Sequence, residues 1–220
     1  MFISLTSENY IKRMALETYR KQHRGGRGVM GMATKEEDVV EGAFTANMLD
    51  SLLCFTNLGR VYWLKVYDIP EAARTANGKP IVNLLNLKDE KVTNVIPVRG
   101  FSGENFLVFG TKQGVIIKIP LSEFSRPRTT GINALTLREG DELVDVKVTD
   151  GSRELILTTK NGRSLRFTEQ SVRPLHRGGM GVIGMRMRGQ DAVKALTVVE
   201  HDYLLTITDA GYGKLTEFDE

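Results

Sequence analysis

A four-residue pattern, written five times at intervals of about fifty residues, restricts this 220-residue chain more than any other feature in it. The pattern is Thr, two residues, then Gly or Asn. It occurs as Thr6-Ser7-Glu8-Asn9, Thr56-Asn57-Leu58-Gly59, Thr111-Lys112-Gln113-Gly114, Thr159-Lys160-Asn161-Gly162 and Thr208-Asp209-Ala210-Gly211, with the threonines 50, 55, 48 and 49 residues apart. Apolar and β-branched runs enter each copy, as in Leu155-Ile156-Leu157-Thr158, and leave it, as in Val61-Tyr62-Trp63-Leu64. This predicts strand, tight turn, strand at every copy. The last turn residue must take φ > 0, which Gly adopts freely and Asn tolerates.

A second pattern keeps step with the first. Gly28-Val29, Pro80-Ile81, Gly131-Ile132 and Gly181-Val182 follow one another at 52, 51 and 50 residues. Within it, His23-Arg24-Gly25-Gly26-Arg27-Gly28-Val29 is echoed by His176-Arg177-Gly178-Gly179-Met180-Gly181-Val182. Each period holds about four strand candidates; in the first they are Val29–Met32, Val39–Thr45, Ser51–Thr56 and Arg60–Val66. Helical periodicity is scarce, and short stretches such as Pro70–Ala76 and Leu121–Phe124 are expected to make one turn each. Four strands per repeat of this length predict an all-β, radial, propeller-like fold of about four blades. Residues 1–220 read as a single domain without an internal boundary.

Composition adds exclusions. The single cysteine, Cys54, lies in the apolar run Leu52-Leu53-Cys54-Phe55 and reads as a reduced core thiol. No apolar run approaches the roughly 18–20 residues needed to span a bilayer. The start, Met1-Phe2-Ile3-Ser4-Leu5, lacks the basic region of a signal peptide, so a soluble, cytoplasmic chain with no membrane partner is expected. His23, His176 and His201 lack companions at metal-ligand spacing. The acidic run Glu36-Glu37-Asp38 reads as a solvated loop. Nucleophile motifs and a phosphate loop ending in Gly-Lys-Ser/Thr are both missing. No catalytic residue, metal or cofactor is expected in this chain.

The formal net charge of +3 hides an oscillation. Residues 9–35 sum to +6, 36–59 to −5, 112–138 to +4, 139–159 to −4, 160–188 to +6 and 189–220 to −5. Equivalent positions in a radial fold point the same way, so this becomes a basic band on one rim, suited to the phosphates of a duplex laid around it. The candidate contacts are Lys12, Arg13, Arg20 and Lys21 in residues 9–35, Lys118, Arg126 and Arg128 in residues 112–138, and Arg163, Arg166, Arg173, Arg177, Arg186 and Arg188 in residues 160–188. Four residues beyond each turn Gly or Asn stand Arg13, Trp63, Lys118, Arg166 and Leu215. Strand alternation predicts this column outward and the next (Met14, Leu64, Ile119, Phe167, Thr216) inward. Trp63 is expected to pack on a neighbouring blade or to lie against nucleic acid.

Tyr10-Ile11-Lys12-Arg13, Thr18-Tyr19-Arg20 and Gln22-His23-Arg24-Gly25-Gly26-Arg27-Gly28 resemble the start of the C-terminal domain of the A subunit of DNA gyrase. The heptapeptide is similar to that family's GyrA box, Gln-Arg-Arg-Gly-Gly-Lys-Gly, with His23 and Arg27 as departures. Phe55–Tyr62, Lys65–Pro70, Pro120–Phe124 and Gly211–Lys214 resemble the family as well. The resemblance implies a β-pinwheel, with strands exchanged between neighbouring blades, that bends DNA around its basic rim so that gyrase introduces negative supercoils. It also implies a heterotetrameric holoenzyme, in which the rest of the gyrase A protein holds the catalytic tyrosine and the gyrase B protein uses ATP and Mg²⁺, with the isolated module monomeric and the enzyme nucleoid-associated. The family form has six blades, so this chain is expected to be about two short.

In the box, glycines let backbone N–H groups approach an anion while Arg24 and Arg27 supply planar donor forks; His23 adds charge only when protonated. The second copy keeps the glycines but has Met180 in place of a cation, and reads as a weaker DNA grip or as a structural connector. Two other readings remain: the C-terminal domain of the topoisomerase IV A protein, which has fewer blades and a degenerate box, and a blade-type protein-interaction scaffold.

Overall fold

The computed structural model describes residues 1–18, 38–101 and 103–218. Among the described residues, seventeen strands account for the regular structure, and the helical elements are 3-10 turns of three or four residues. The first repeat supplies β1 (Phe2–Thr6), β2 (Tyr10–Met14) and β3 (Val40–Thr45). The second supplies β4 (Ser51–Thr56), β5 (Arg60–Lys65), β6 (Lys79–Pro80) and β7 (Val92–Val98), and the third β8 (Phe106–Thr111), β9 (Val115–Pro120), β10 (Ile132–Asn133) and β11 (Leu143–Thr149). The fourth gives β12 (Glu154–Thr159), β13 (Ser164–Thr168), β14 (Val182–Ile183) and β15 (Val193–Val198), followed by a hairpin of β16 (Tyr203–Ile207) and β17 (Gly213–Glu217).

The sheets run β3-β1-β2-β6, β10-β5-β4-β7, β11-β8-β9-β14, β13-β12-β15 and β16-β17, all their pairings antiparallel. Each of the first four hairpins is flanked on one side by the long strand that follows it. On the other side, in the first three blades, lies a two-residue strand lent by the next repeat. The molecule is therefore an all-β, propeller-like ring segment of four blades with strand exchange. Three sheets have the expected four strands, the fourth has three, and the final hairpin is a sheet of its own.

The threonine turns close as predicted. Asn9, Gly59, Gly114, Gly162 and Gly211 have φ of 63°, 74°, 82°, 78° and 81°. The threonine hydroxyl accepts the N–H four residues on in every copy, from Tyr10, Arg60, Val115, Arg163 and Tyr212. Threonine recurs because it is β-branched enough for a strand end and carries the oxygen that the turn N–H needs.

The exchanged strands correct the second pattern by two residues in one repeat. Gly78, not Pro80, is the counterpart of Gly131 and Gly181, with φ of 81°, 65° and 69°. A Cβ on Gly78 would lie 2.6 Å from the Ile11 carbonyl oxygen, and one on Gly131 2.6 Å from the Tyr62 ring. Glycine is what lets the lent strand close on its neighbour. The segment Pro70–Ala76 is not helical; the 3-10 turn falls earlier, at Val66–Asp68. Pro70 and Glu71 instead run beside β2, where the Pro70 carbonyl accepts the Arg13 N–H at 3.2 Å and Glu71 forms a parallel bridge to Arg13. The turn expected at Leu121–Phe124 is present.

The core lies between blades. One cluster joins the second and third through Phe55, Phe109 and Phe124, with Phe55 edge-on to both partners at 5.3 and 6.0 Å. A second joins the first and second through Ile3, Ile11 and Cys54, and a third the next interface through Val108, Ile116 and Leu157. Burial on both faces explains why β4 is buried at all six positions and why its sequence is an apolar run, not an alternation. Burial pushes the Cys54 thiol up to about 12, so it stays protonated.

Candidate nucleic-acid interface

The column predicted to point outward does leave its own sheet, but most of it is covered by the next blade. Arg13 Nε donates to the Ile69 carbonyl at 2.6 Å and its guanidinium pairs with Glu71 at 2.9 Å. Trp63 Nε1 donates to the Phe124 carbonyl at 3.0 Å, so Trp63 packs on the neighbouring blade. Lys118 Nζ donates to the Glu169 carbonyl at 3.3 Å and lies 4.6 Å from the centre of the Phe106 ring. Arg166 reaches the Phe218 carbonyl at 3.4 Å, stacks on the Phe218 ring and pairs with Glu154. Each of these four side chains thus grips a backbone carbonyl distant in sequence. The column is a clasp.

This corrects several candidate contacts. Lys118 is 4% exposed and Lys12 fully buried, so neither presents its ammonium to a duplex. Lys12 Nζ donates to three carbonyls of the loop before β6: Ala73 at 3.3 Å, Arg74 at 2.5 Å and Ala76 at 2.9 Å. That satisfies the ammonium's donors. Burial lowers the Lys12 pKa, and the Arg74 charge adds to the effect. Arg13 is mostly covered and Arg166 is engaged by a carboxylate. The sequence identifies the cations of this column, but strand alternation says only which way a side chain leaves its own sheet.

Apart from Arg166, the described candidate cations that face solvent lie on the connections. Arg126 and Arg128 are exposed in the loop before β10, and Arg173 and Arg177 in the loop before β14. Arg186 and Arg188 follow β14 and are exposed too, while Arg163 is half-buried with its guanidinium 3.5 Å from the Arg186 carbonyl. Gln22–Gly28, Arg20 and Lys21 lie outside the described residues. In the sequence, Gln22–Gly28 occupies the same place in its period as the loop ending at Gly181.

The residue pattern along the whole chain matches the model of the DNA gyrase C-terminal domain, beta-propeller, over residues 1–47, 50–99, 105–150, 153–200 and 202–220. The chain belongs to the DNA gyrase C-terminal domain family. Among relatives, it is 44% identical to the A subunit of DNA gyrase from Haloquadratum walsbyi and 42% identical to that from Salmonella typhimurium. Both matches cover 99% of this chain but only 26% and 25% of the relative; the chain spans about a quarter of their length. Among solved structures, the C-terminal domain of DNA topoisomerase IV superposes with a TM-score of 0.82 at 27% identity, covering 99% of this chain and 67% of that one. The DNA gyrase A C-terminal domain gives 0.77 at 24% identity, covering 99% and 71%, and supports the fold alone.

Two features of this gyrase-family domain escaped the sequence reading. The first is an acid that locks each of the first four turns. Asp38 accepts from Ser7 Oγ at 2.9 Å and the Glu8 N–H at 3.0 Å, and Glu90 accepts from Thr56 Oγ1 at 2.7 Å. Asp141 accepts from Thr111 Oγ1 at 2.6 Å and the Gln113 N–H at 2.8 Å, and Asp191 from the Asn161 N–H at 3.1 Å. Asp38 is therefore not part of a solvated run. Burial alone would raise its pKa, but hydrogen bonds from Thr6, Glu8, Ser7 and Val39 outweigh it and hold the carboxyl below its ordinary value. Asp191 behaves likewise, with Thr159, Asn161, Ala192 and the Arg163 charge opposing burial. These acids stand 52, 51 and 50 residues apart, so the sequence carries the same period in its acids. The second is Arg60, whose guanidinium reaches the Thr130 carbonyl at 2.7 Å and Asn133 Oδ1 at 3.3 Å, fixing the loop that carries Arg126 and Arg128. Among the described residues no group of three His, Cys, Asp or Glu could hold a metal ion.

Proposed function

We propose that residues 1–220 form one non-catalytic DNA-binding module that bends duplex DNA around a basic rim. In this reading it works within a gyrase, with the remainder of the A protein, the B protein and ATP, to introduce negative supercoils. The observation that carries the reading is the recurrence of exposed arginines on the loops ahead of the exchanged strands, Arg126 and Arg128 in one repeat and Arg173 and Arg177 in the next. Family membership supports it. Cations repeated at the blade interval suit a curved track of phosphates, which gives affinity without reading sequence. Gln22–Gly28 occupies the corresponding place in its own period, and Arg24 and Arg27 are assigned to phosphate contact there.

A second reading, the C-terminal domain of a topoisomerase IV A protein, is favoured by the 0.82 superposition and opposed by the nearly complete box. A topology assay on the parent enzyme separates the two. With a gyrase, relaxed plasmid becomes negatively supercoiled in the presence of ATP, and Arg24→Ala with Arg27→Ala abolishes this while leaving ATP-dependent relaxation. Relaxation alone from the unmodified enzyme decides for the topoisomerase IV reading.

A further inference from the structure

The second His-Arg-Gly-Gly loop is built by its backbone. Leu175 N–H donates to the Lys118 carbonyl at 2.8 Å, and Gly178 N–H to the Ala134 carbonyl at 3.0 Å. In return Thr136 donates to this loop twice, its N–H to the Gly179 carbonyl at 3.1 Å and its hydroxyl to the Gly178 carbonyl at 2.8 Å. A turn closes between Gly179 N–H and the His176 carbonyl. These bonds tie the loop to β9 and to the segment after β10, so the His176 and Arg177 side chains are free of any shaping task.

The His176 and Arg177 side chains instead meet one carboxylate from another element. His176 Nδ1 lies 3.0 Å from Glu123 Oε1, and Arg177 Nε 3.7 Å from Glu123 Oε2. The His176 side chain is 92% exposed, and that of Arg177 37%. The hydrogen bond from His176 is the main cause of a lowered Glu123 pKa, so the carboxylate is charged. The sequence around it is otherwise free of acid. Glu123 is the sole carboxylate between Lys118 and Arg138, and the one acid from Lys160 through Arg188 is Glu169, which is fully buried. Glu123 is thus the only solvent-reaching negative charge in these two basic stretches, and it sits on the histidine and arginine that echo the box.

We propose that Glu123 is a built-in competitor for phosphate at this loop, holding His176 and Arg177 until a phosphate of the DNA backbone displaces it. The inference rests on the DNA-binding reading given above. An exposed ion pair is weak enough to exchange, and a phosphodiester offers the guanidinium fork the same pair of acceptor oxygens as a carboxylate. The second loop then engages DNA only where the duplex is already held close enough to outcompete Glu123, which makes this contact follow the stronger ones.

The test is binding of the full chain to a short duplex of mixed sequence, followed by fluorescence anisotropy across a KCl series. Glu123→Gln is expected to tighten binding about two- to fivefold and to steepen the log–log salt slope by about one unit. Adding Arg177→Ala removes that gain. Glu142→Gln, which frees the Lys112 partner at the third turn with the same change in charge, serves as control and leaves affinity near wild type. Glu123→Ala repeats the measurement without an amide, and thermal melts confirm that each variant folds. A steep wild-type slope with Glu123→Gln unchanged, or matched by Glu142→Gln, overturns the proposal and leaves DNA binding standing. A gain that survives Arg177→Ala also overturns it. A flat wild-type response overturns the DNA-binding reading and the competitor with it.

Discussion

At the scale of single residues, the same side chain serves opposite ends according to what lies beyond it. Lys12 and Arg126 are both cations of basic stretches, yet Lys12 ends on three carbonyls and Arg126 in solvent. Replacing Lys12 by Met keeps the aliphatic stem and removes the donors. The three carbonyls lose their partner, and a loss of about 1–3 kcal/mol in unfolding free energy is expected. Urea denaturation measures it; an unchanged midpoint would show that water replaces the ammonium at no cost. The chemical character of these positions was legible in the sequence. The destination of each side chain was not, because the covering group belongs to a loop about sixty residues away.

At the scale of elements, the repeat is a device of three parts: a threonine turn, an acid that locks it, and a glycine that admits the lent strand. Gly131→Ala tests the third. The new methyl meets the Tyr62 ring at 2.6 Å on a backbone with φ of 65°, so either the ring or β10 must move. A destabilisation of about 1–3 kcal/mol is expected, within the usual range for strained backbone, and retention of wild-type stability would remove the close-approach argument. The acid lock carries a pH dependence. The folded-state pKa values of Asp38 and Asp191 are lowered, so their contribution is present above the unfolded value of about 3.9 and is lost as pH falls through the folded values. The urea midpoint should therefore drop as pH falls from about 5 to about 3, and Asp38→Asn with Asp191→Asn should lower the midpoint at about pH 6 and flatten that drop. An equally steep acid limb in the double variant would place the titrating groups elsewhere. The threonine turns were read from sequence because their signal is local, four residues with one conformational demand. The second pattern was misaligned by two residues at Pro80, because the glycine is defined by a neighbour that composition does not reveal.

At the scale of the whole molecule, the cations of the basic stretches divide: Arg126, Arg128, Arg173 and Arg177 on connecting loops face solvent, while Lys12 and Lys118 on strands turn to internal carbonyls. Replacing exposed Arg126 and Arg173 by Ala should weaken binding to unrelated duplexes alike. It should also reduce the salt slope by about 0.9 for each phosphate no longer neutralised; weakening confined to one sequence would contradict a phosphate-only rim. By itself the sequence determined the all-β class, the period, the turn positions and the sign of charge in each segment, since each of these follows from local conformational preference and composition. Only the tertiary structure decided which cations remain in water. Strand exchange lays the connection of one repeat across the hairpin of the one before. The packing that buries Lys12 and Lys118 while leaving Arg126, Arg128, Arg173 and Arg177 exposed is long-range, and no short window of sequence contains both of its sides.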